Sequence, residues 1–345
     1  TSLGDWIIDN KKFKNGFDEI IKLCKTNGMK FGLWFEPEAI SPKSDLYNKY
    51  KSYAIEDENI KGLELRNQLV LDFSKDEVIN NIFNQMKLIL DKYDISYIKW
   101  DMNRPLSDTY DSNQYVDYCQ GVYKLYNLIN ENYPDILIEG CSSGGGRFDL
   151  GILFYSPYIW LSDDTDGYER MKIEYGASLF YPLRVLSNHV SICPNHQTGR
   201  TTPLFTRYAV ASLGSLGYEL NLSKLTELEL NEIKKQIADY KKVKDLIYEG
   251  DCYRLENPFT SNNFSIEVLS KDKKEGYLVF SNILVKPNLP IKRLRFKGLL
   301  ENKTYYIEEL NMNINSNILM NLGIDVQMKQ EDFSSVIMHF KLIKE

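Results

Sequence analysis

Short apolar runs alternate with amphipathic stretches through the first two-thirds of the chain, and a polar cluster follows almost every run. Phe31-Gly-Leu-Trp-Phe35 runs into Glu36-Pro37-Glu38, and Gln68-Leu-Val-Leu71 into Asp72. Ile95-Ser-Tyr-Ile98 leads to Lys99-Trp100-Asp101, and Ile136-Leu-Ile138 to Glu139-Gly-Cys141. Tyr158-Ile-Trp160 leads to Ser162-Asp163-Asp164, and His189-Val-Ser-Ile192 to Pro194-Asn195-His196. Leu216 to Leu220 forms one more short strand, ending near Glu219. Between the runs, Phe17, Ile20, Ile21 and Cys24 share one helical face, as do Val78, Ile79, Ile82, Met86 and Leu90. Apolar runs of this length, separated by helices, are strands of a parallel sheet buried on both faces.

A doubly wound sheet collects its polar residues at one switch point, whereas a (β/α)8 barrel carries them after strand upon strand. The pattern therefore predicts a barrel. Seven strands are readable where eight are needed; the missing one would be the first, as in a chain that begins mid-protein. Leu225, Leu228, Leu230, Ile233, Ile237 and Tyr240 mark the last barrel helix. Beyond Gly250 the pattern changes to Ser265-Ile-Glu-Val-Leu, Gly276-Tyr-Leu-Val-Phe, Arg293-Leu-Arg-Phe and Thr304-Tyr-Tyr-Ile, separated by turn residues. The expected fold is α/β: a (β/α)8 barrel lacking its first strand over residues 1–248, then a small C-terminal antiparallel β-sandwich over residues 249–345.

Composition removes several classes of function. With 43% hydrophobic and 26% charged residues the chain has a globular balance. A formal net charge of −6 is the wrong sign for a phosphate-backbone binder, so no nucleic-acid partner is expected. No apolar run reaches the ~18 residues of a membrane span, and no membrane partner is expected. Five cysteines, none in a CxxC pair, argue against a disulfide framework and a structural zinc site. Free thiols and the lack of a secretory signal point to a cytoplasmic location. No cofactor and no metal are expected.

Two acidic clusters carry the chemistry. Residues two apart in a strand share a face, so Lys99 and Asp101 both look into the barrel mouth, where Lys99 would keep Asp101 ionised as a nucleophile must be. The plainer alternative is a structural ion pair at the rim. Ser162-Asp163-Asp164-Thr165-Asp166 ends another strand, and mutual repulsion would raise at least one carboxyl toward general-acid duty. Helix capping is the plainer alternative there. One nucleophile and one acid/base meet the requirement of a glycosidase. Trp34 and Trp100 offer flat faces for sugar rings, glycines 144–146 allow close backbone approach, and Arg66, Asp72, Lys99 and Asn103 offer polar groups to hydroxyls. Cys141 lacks an evident His partner and reads as a wall residue. Of Glu36 and Glu38, one would face the pocket and the other cap a helix; His189 and His196 flank a strand end as ligand contacts or structural histidines.

Taken in order, Trp34-Phe-Glu-Pro-Glu38, Arg66-Asn-Gln-Leu-Val-Leu-Asp72, Lys99-Trp-Asp-Met-Asn103, Cys141-Ser-Ser-Gly-Gly-Gly-Arg-Phe-Asp149 and Ser162-Asp-Asp-Thr-Asp166 resemble the bacterial α-galactosidases (melibiases) of glycoside hydrolase family 36. Pro194-Asn-His-Gln197 and Gly217-Tyr-Glu-Leu220 continue the resemblance. It implies retaining double displacement on a terminal α-linked galactose, with Asp101 as nucleophile and Asp163 as acid/base about 5–6 Å apart. It implies Trp34, Arg66, Lys99, Asn103, Cys141 and Gly144 as sugar-pocket residues. It further implies α-galactoside oligosaccharides as partners and a homo-oligomer for the full-length protein. The family's first barrel strand, ending in an Asp-Asp-Gly-Trp motif, has no counterpart before Thr1-Ser-Leu-Gly-Asp-Trp6. The rivals are an α-N-acetylgalactosaminidase or galactosyl transferase on the same scaffold, an inactive sugar-binding fragment and, more remotely, a metal-dependent barrel enzyme.

Overall fold

The computed structural model describes residues 2–56, 63–107, 109, 112–288, 292–326, 328–329 and 331–343. It divides into two compact units, Thr1–Trp160 and Leu161–Glu345.

The first unit opens with helix α1 (Asp18–Thr26), strand β1 (Gly32–Phe35), the short strand β2 (Ala39–Ile40) and α2 (Asp45–Lys49). Strand β3 (Leu69–Val70), α3 (Asp76–Leu90), β4 (Tyr97–Trp100) and α4 (Ser112–Asn132) follow. Then come β5 (Leu137–Gly140), α5 (Leu150–Tyr155) and β6 (Tyr158–Trp160). Helix α1 ends where Gly28 takes φ +67°, while the Gly28 and Met29 amides donate to Lys25 and Cys24 carbonyls. A side chain would strain that left-handed position, so Asn-Gly marks the stop. The α3 stripe of Val78, Ile79, Ile82 and Met86 is at most 1% exposed and forms the core with Ile98, Trp100, Leu125, Tyr126 and Ile129.

Strands β1, β4, β5 and β6 pair in parallel, in that order. The run at 68–71, read from the sequence as a barrel strand, is not one. Its β3 pairs antiparallel with β2, Ala39 opposite Val70 and Ile40 opposite Leu69. This hairpin is an excursion between β1 and α3, and its four paired residues are at most 4% exposed. A buried apolar run has the same signature in a hairpin as in a barrel.

The second unit contains α6 (Gly167–Ala177), β7 (Leu186–Ser191), α7 (Leu204–Ala211), β8 (Ser215–Glu219) and α8 (Glu227–Glu249). Strands β7 and β8 pair in parallel. Among the described residues the two units thus hold four and two parallel strands, six where the sequence suggested seven. Helix α8 starts on a capping box: Thr226 Oγ1 accepts from the Glu229 amide, and the Glu229 carboxylate accepts from the Thr226 amide.

Strands β9 (Asp251–Glu256), β10 (Asn263–Leu269), β11 (Glu275–Asn282), β12 (Arg293–Leu294) and β13 (Thr304–Ile307) follow in the same unit. Strands β14 (Met312–Asn315), β15 (Ile324–Asp325) and β16 (Ser335–Leu342) complete it. Six of these form an antiparallel sheet in the order β14-β13-β16-β11-β10-β9, while β12 and β15 make a separate pair. Leu278, Phe280 and Phe340 of the larger sheet share a core with Leu294 and Ile324 of the pair. This is the C-terminal β layer expected from the sequence, with β9, β14, β15 and β16 added. Arg293–Phe296 contributes only two residues to a strand.

Candidate active site

In the first unit, the ends of β1, β4 and β5 assemble one polar cluster. The β1–β4 register sets Trp34 beside Lys99 and Phe35 beside Trp100, and the ladder continues as the Asp101 amide donates to the Phe35 carbonyl at 2.8 Å. Asp101 is 8% exposed, and three N–H donors converge on its carboxylate. Trp34 Nε1 and Asn103 Nδ2 donate to Oδ2 at 3.1 and 2.7 Å, and the Met102 amide donates to Oδ1 at 2.8 Å. A carboxylate held by donors at both oxygens cannot swing away without losing hydrogen bonds.

Strand alternation separates the two tryptophans. Trp34 stays 44% exposed, available as a flat face beside Asp101. Trp100, expected to do the same, is fully buried on the opposite face of β4. It stacks on Tyr126 of α4 with centroids 3.8 Å apart, and its Nε1 donates to Glu38. Sharing a strand end with Asp101 put it one residue, and so one face, out of register with the site.

Lys99 does face the Asp101 side, but its ion-pair partner is Glu139, at 3.0 Å across the β4–β5 pair. Tyr97 also donates to Glu139, and the Lys99 ammonium sits 4.9 Å from the Trp160 ring centroid. Burial disfavours the Lys99 charge, but Glu139, Cys141 and Asp101 outweigh it and hold its pKa above the ordinary value. Cys141 is 3% exposed; burial first, and then the Asp101 charge, push its thiol far up. That direction is opposite to the one found in nucleophilic cysteines, whose pKa values are lowered. Three residues on from Cys141, Gly144 takes φ +88° and its carbonyl accepts from the Ser142 amide at 2.7 Å, so the loop closes tightly.

Arg66 occupies a strained position. Leu65 and Gln68 exchange backbone hydrogen bonds around Arg66 and Asn67, with φ of 56° and 59°. That is a two-residue hairpin turn of the kind usually built from Asn-Gly. An arginine held there costs of order 1–3 kcal/mol, and such strain concentrates at functional sites. Asp72, read as a hydroxyl partner, is instead occupied before α3: Ser74 donates to it at 2.5 Å and Lys75 pairs with it at 3.0 Å.

Glu36 and Glu38 separate as expected in one respect only. Glu36 faces the Asp101 cluster. Glu38 caps no helix; it is completely buried and takes a two-pronged ion pair from Arg147 at 2.7 and 2.8 Å, plus donation from Trp100 and from Tyr118 at 2.6 Å. A cavity of about 540 Å³, lined by Met102, Leu106, Tyr115, Tyr118 and Tyr123 among others, lies on the α4 side and includes neither Asp101 nor Trp34. The Asp101 cluster, with its converging donors, is the better candidate site.

In the second unit the Ser162–Asp166 loop is tied down along its length. Arg170 donates to the Ser162 carbonyl at 3.3 Å, and Asn195 to Thr165 Oγ1 at 3.2 Å. Asp166 caps α6, accepting from the Tyr168 and Glu169 amides, and is clamped by Thr198 at 2.5 Å and Arg200 at 2.6 Å. Burial would raise Asp166, but these donors prevail and hold it below the ordinary carboxylate range. The capping role thus falls to Asp166, while Asp163 is exposed on the same loop. His189 lies 3.5 Å from Glu219, and His196 is exposed. No group of three or more His, Cys, Asp or Glu side chains suited to a metal ion occurs among the described residues.

Residues 1–250 match the melibiase family, and residues 263–340 match the glycosyl hydrolase family 36 C-terminal domain. The chain belongs to the melibiase family. An α-galactosidase of Lactobacillus acidophilus, Mel36A, is 42% identical over 99% of this chain and 48% of its own length. The bifunctional α-galactosidase/sucrose kinase AgaSK of Mediterraneibacter gnavus is 41% identical over all of this chain and 37% of its own length. The galactosidase domain of AgaSK superposes with a TM-score of 0.97 over 99% of this chain and 48% of that chain, at 40% identity. A variant of AgaA from Geobacillus stearothermophilus in complex with raffinose superposes at 0.96, with 40% identity, 99% of this chain and 49% of that chain. This chain therefore spans about half the length of the melibiase-family α-galactosidases it matches.

Sequence reasoning missed two partners: Glu139 for Lys99, and Arg147 for Glu38. Glu139 was findable, since it lies in the strand after β4, one residue before its end, as Lys99 does in β4. The Glu38–Arg147 contact spans 109 positions, and no local periodicity reports it.

Proposed function

We propose that this chain carries the cleavage machinery of a retaining α-galactosidase that removes terminal α-linked galactose from oligosaccharides of the melibiose and raffinose type. The observation that carries the reading is the Asp101 carboxylate, fixed by Trp34, Asn103 and Met102 N–H donors beside an exposed tryptophan face. In the first step an Asp101 oxygen bonds to the anomeric carbon as the glycosidic C–O bond breaks, and Asp163 gives its proton to the departing oxygen. In the second step Asp163 takes a proton from water, whose oxygen displaces Asp101 and restores the original anomeric configuration. Lys99, Asn103 and Arg66 bind sugar hydroxyls, Trp34 stacks on the ring, and Cys141 and Gly144 form the wall. The reading places the catalytic barrel in residues 1–248 and the C-terminal module in residues 249–345, in keeping with the two family ranges. A cytoplasmic location and a homo-oligomeric full-length protein belong to the same proposal.

The family relationship and the names of the relatives support galactose as the sugar. The test is hydrolysis of p-nitrophenyl α-galactoside by the intact protein, with the first-formed sugar followed by NMR. The α-anomer of galactose must appear first; the β-anomer first would contradict the mechanism. Faster cleavage of the α-N-acetylgalactosaminide would contradict the substrate.

A further inference from the structure

Glu36 has no part in the chemistry above, although it lies at the junction of everything that holds Asp101. It follows β1 directly, is 2% exposed, and stands where the β1–β4 register brings it level with Asp101. One oxygen accepts from the Asn103 backbone amide at 2.7 Å. The other accepts from Gln68 Nε2 at 3.3 Å. Asn103 in turn donates its side-chain amide to Asp101 at 2.7 Å, and Gln68 closes the turn that carries Arg66. Each Glu36 oxygen therefore ties down one arm of the site: the nucleophile loop after β4, and the hairpin bearing the strained arginine.

We propose that Glu36 is a positioning residue that locks the Asn103 donor onto Asp101 and the Arg66 turn against the same strand end. The inference rests on the glycosidase reading. Asp101 and Arg66 are the charged groups that act on Glu36. Burial, and to a lesser degree Asp101, raise its pKa, while the Asn103 hydrogen bonds and Arg66 lower it. The group works through its acceptor oxygens; its charge is incidental. Glu36→Gln keeps an acceptor for the Asn103 amide, whereas Glu36→Ala removes it.

The test measures kcat and KM on p-nitrophenyl α-galactoside with the intact protein for the parent, Glu36→Gln, Glu36→Ala and Asp101→Ala. The Ala variant should lose about 10–100-fold in kcat with KM changed by less than about threefold, because misplacing a reacting group by an ångström costs rates of this size. The Gln variant should recover most of that loss. If the Ala variant fails to fold, Glu36→Met, of similar length and without an acceptor, takes its place. Unchanged kcat in the acceptor-free variant overturns the inference, and so does a Gln variant as slow as the Ala or Met one. A parent without galactosidase activity, or an Asp101→Ala variant that keeps it, overturns the underlying reading instead.

Discussion

Arg147→Met isolates the role of the ion pair beneath the site. Glu38 is 0% exposed, so its carboxylate is stabilised by protein groups: two Arg147 nitrogens, Trp100 Nε1 and the Tyr118 hydroxyl. Removing the arginine leaves two neutral donors facing a buried anion. Breaking a buried pair from one side typically costs about 3–5 kcal/mol. For a unit of this size each kcal/mol lowers the melting midpoint by roughly 2–4 °C, so the expected fall is about 6–20 °C. Adding Glu38→Gln should return part of that loss, because the stranded charge is then gone. Calorimetry on the parent, both single variants and the double variant gives the coupling directly. A single Arg147→Met change costing less than about 0.5 kcal/mol, the level of an ordinary surface substitution, would refute the idea that this pair is a buried keystone.

Glu267 of β10 is completely buried; one oxygen accepts from the Lys297 amide at 2.9 Å and the other has no partner among the described residues. Burial pushes its carboxyl up to about 8, so the folded protein holds a proton that the unfolded chain releases near 4.5, and stability falls as pH rises between those values. The slope from one such group is at most about 1.4 kcal/mol per pH unit. Glu267→Gln should remove that slope from denaturant midpoints measured between about pH 5 and 8, whereas an unchanged slope would contradict the burial argument. Arg66→Gly relieves a left-handed φ and should stabilise the protein by about 1 kcal/mol while KM for the galactoside rises. A destabilised variant, or an unchanged KM, would count against the strained-for-binding interpretation.

Much of this architecture could be read from local pattern, and its failures share one cause. Strand-plus-polar-cluster units located β1, β4, β5, β6, β7 and β8 because each buries a short apolar run. The same signature at 68–71 belongs to a hairpin, since burial alone does not say which partner a strand takes. Parity along β4 separated Lys99 and Asp101 from Trp100, so the buried tryptophan was deducible from the spacing that placed the nucleophile. The Arg147 partner of Glu38 was not, because that contact bridges loops far apart in sequence. In the acidic loop, spacing offered three aspartates for two duties; the Thr198 and Arg200 contacts assign capping to Asp166.

The central claim is that Asp101 bonds to the sugar. The most direct test traps the intermediate with a 2-deoxy-2,2-difluoro-galactosyl substrate on the intact protein and maps the labelled peptide by mass spectrometry. The account predicts one 2-deoxy-2,2-difluoro-galactosyl adduct, on Asp101, released when the trapped protein turns over. An adduct on Asp163, on Cys141 or on any other side chain would contradict it.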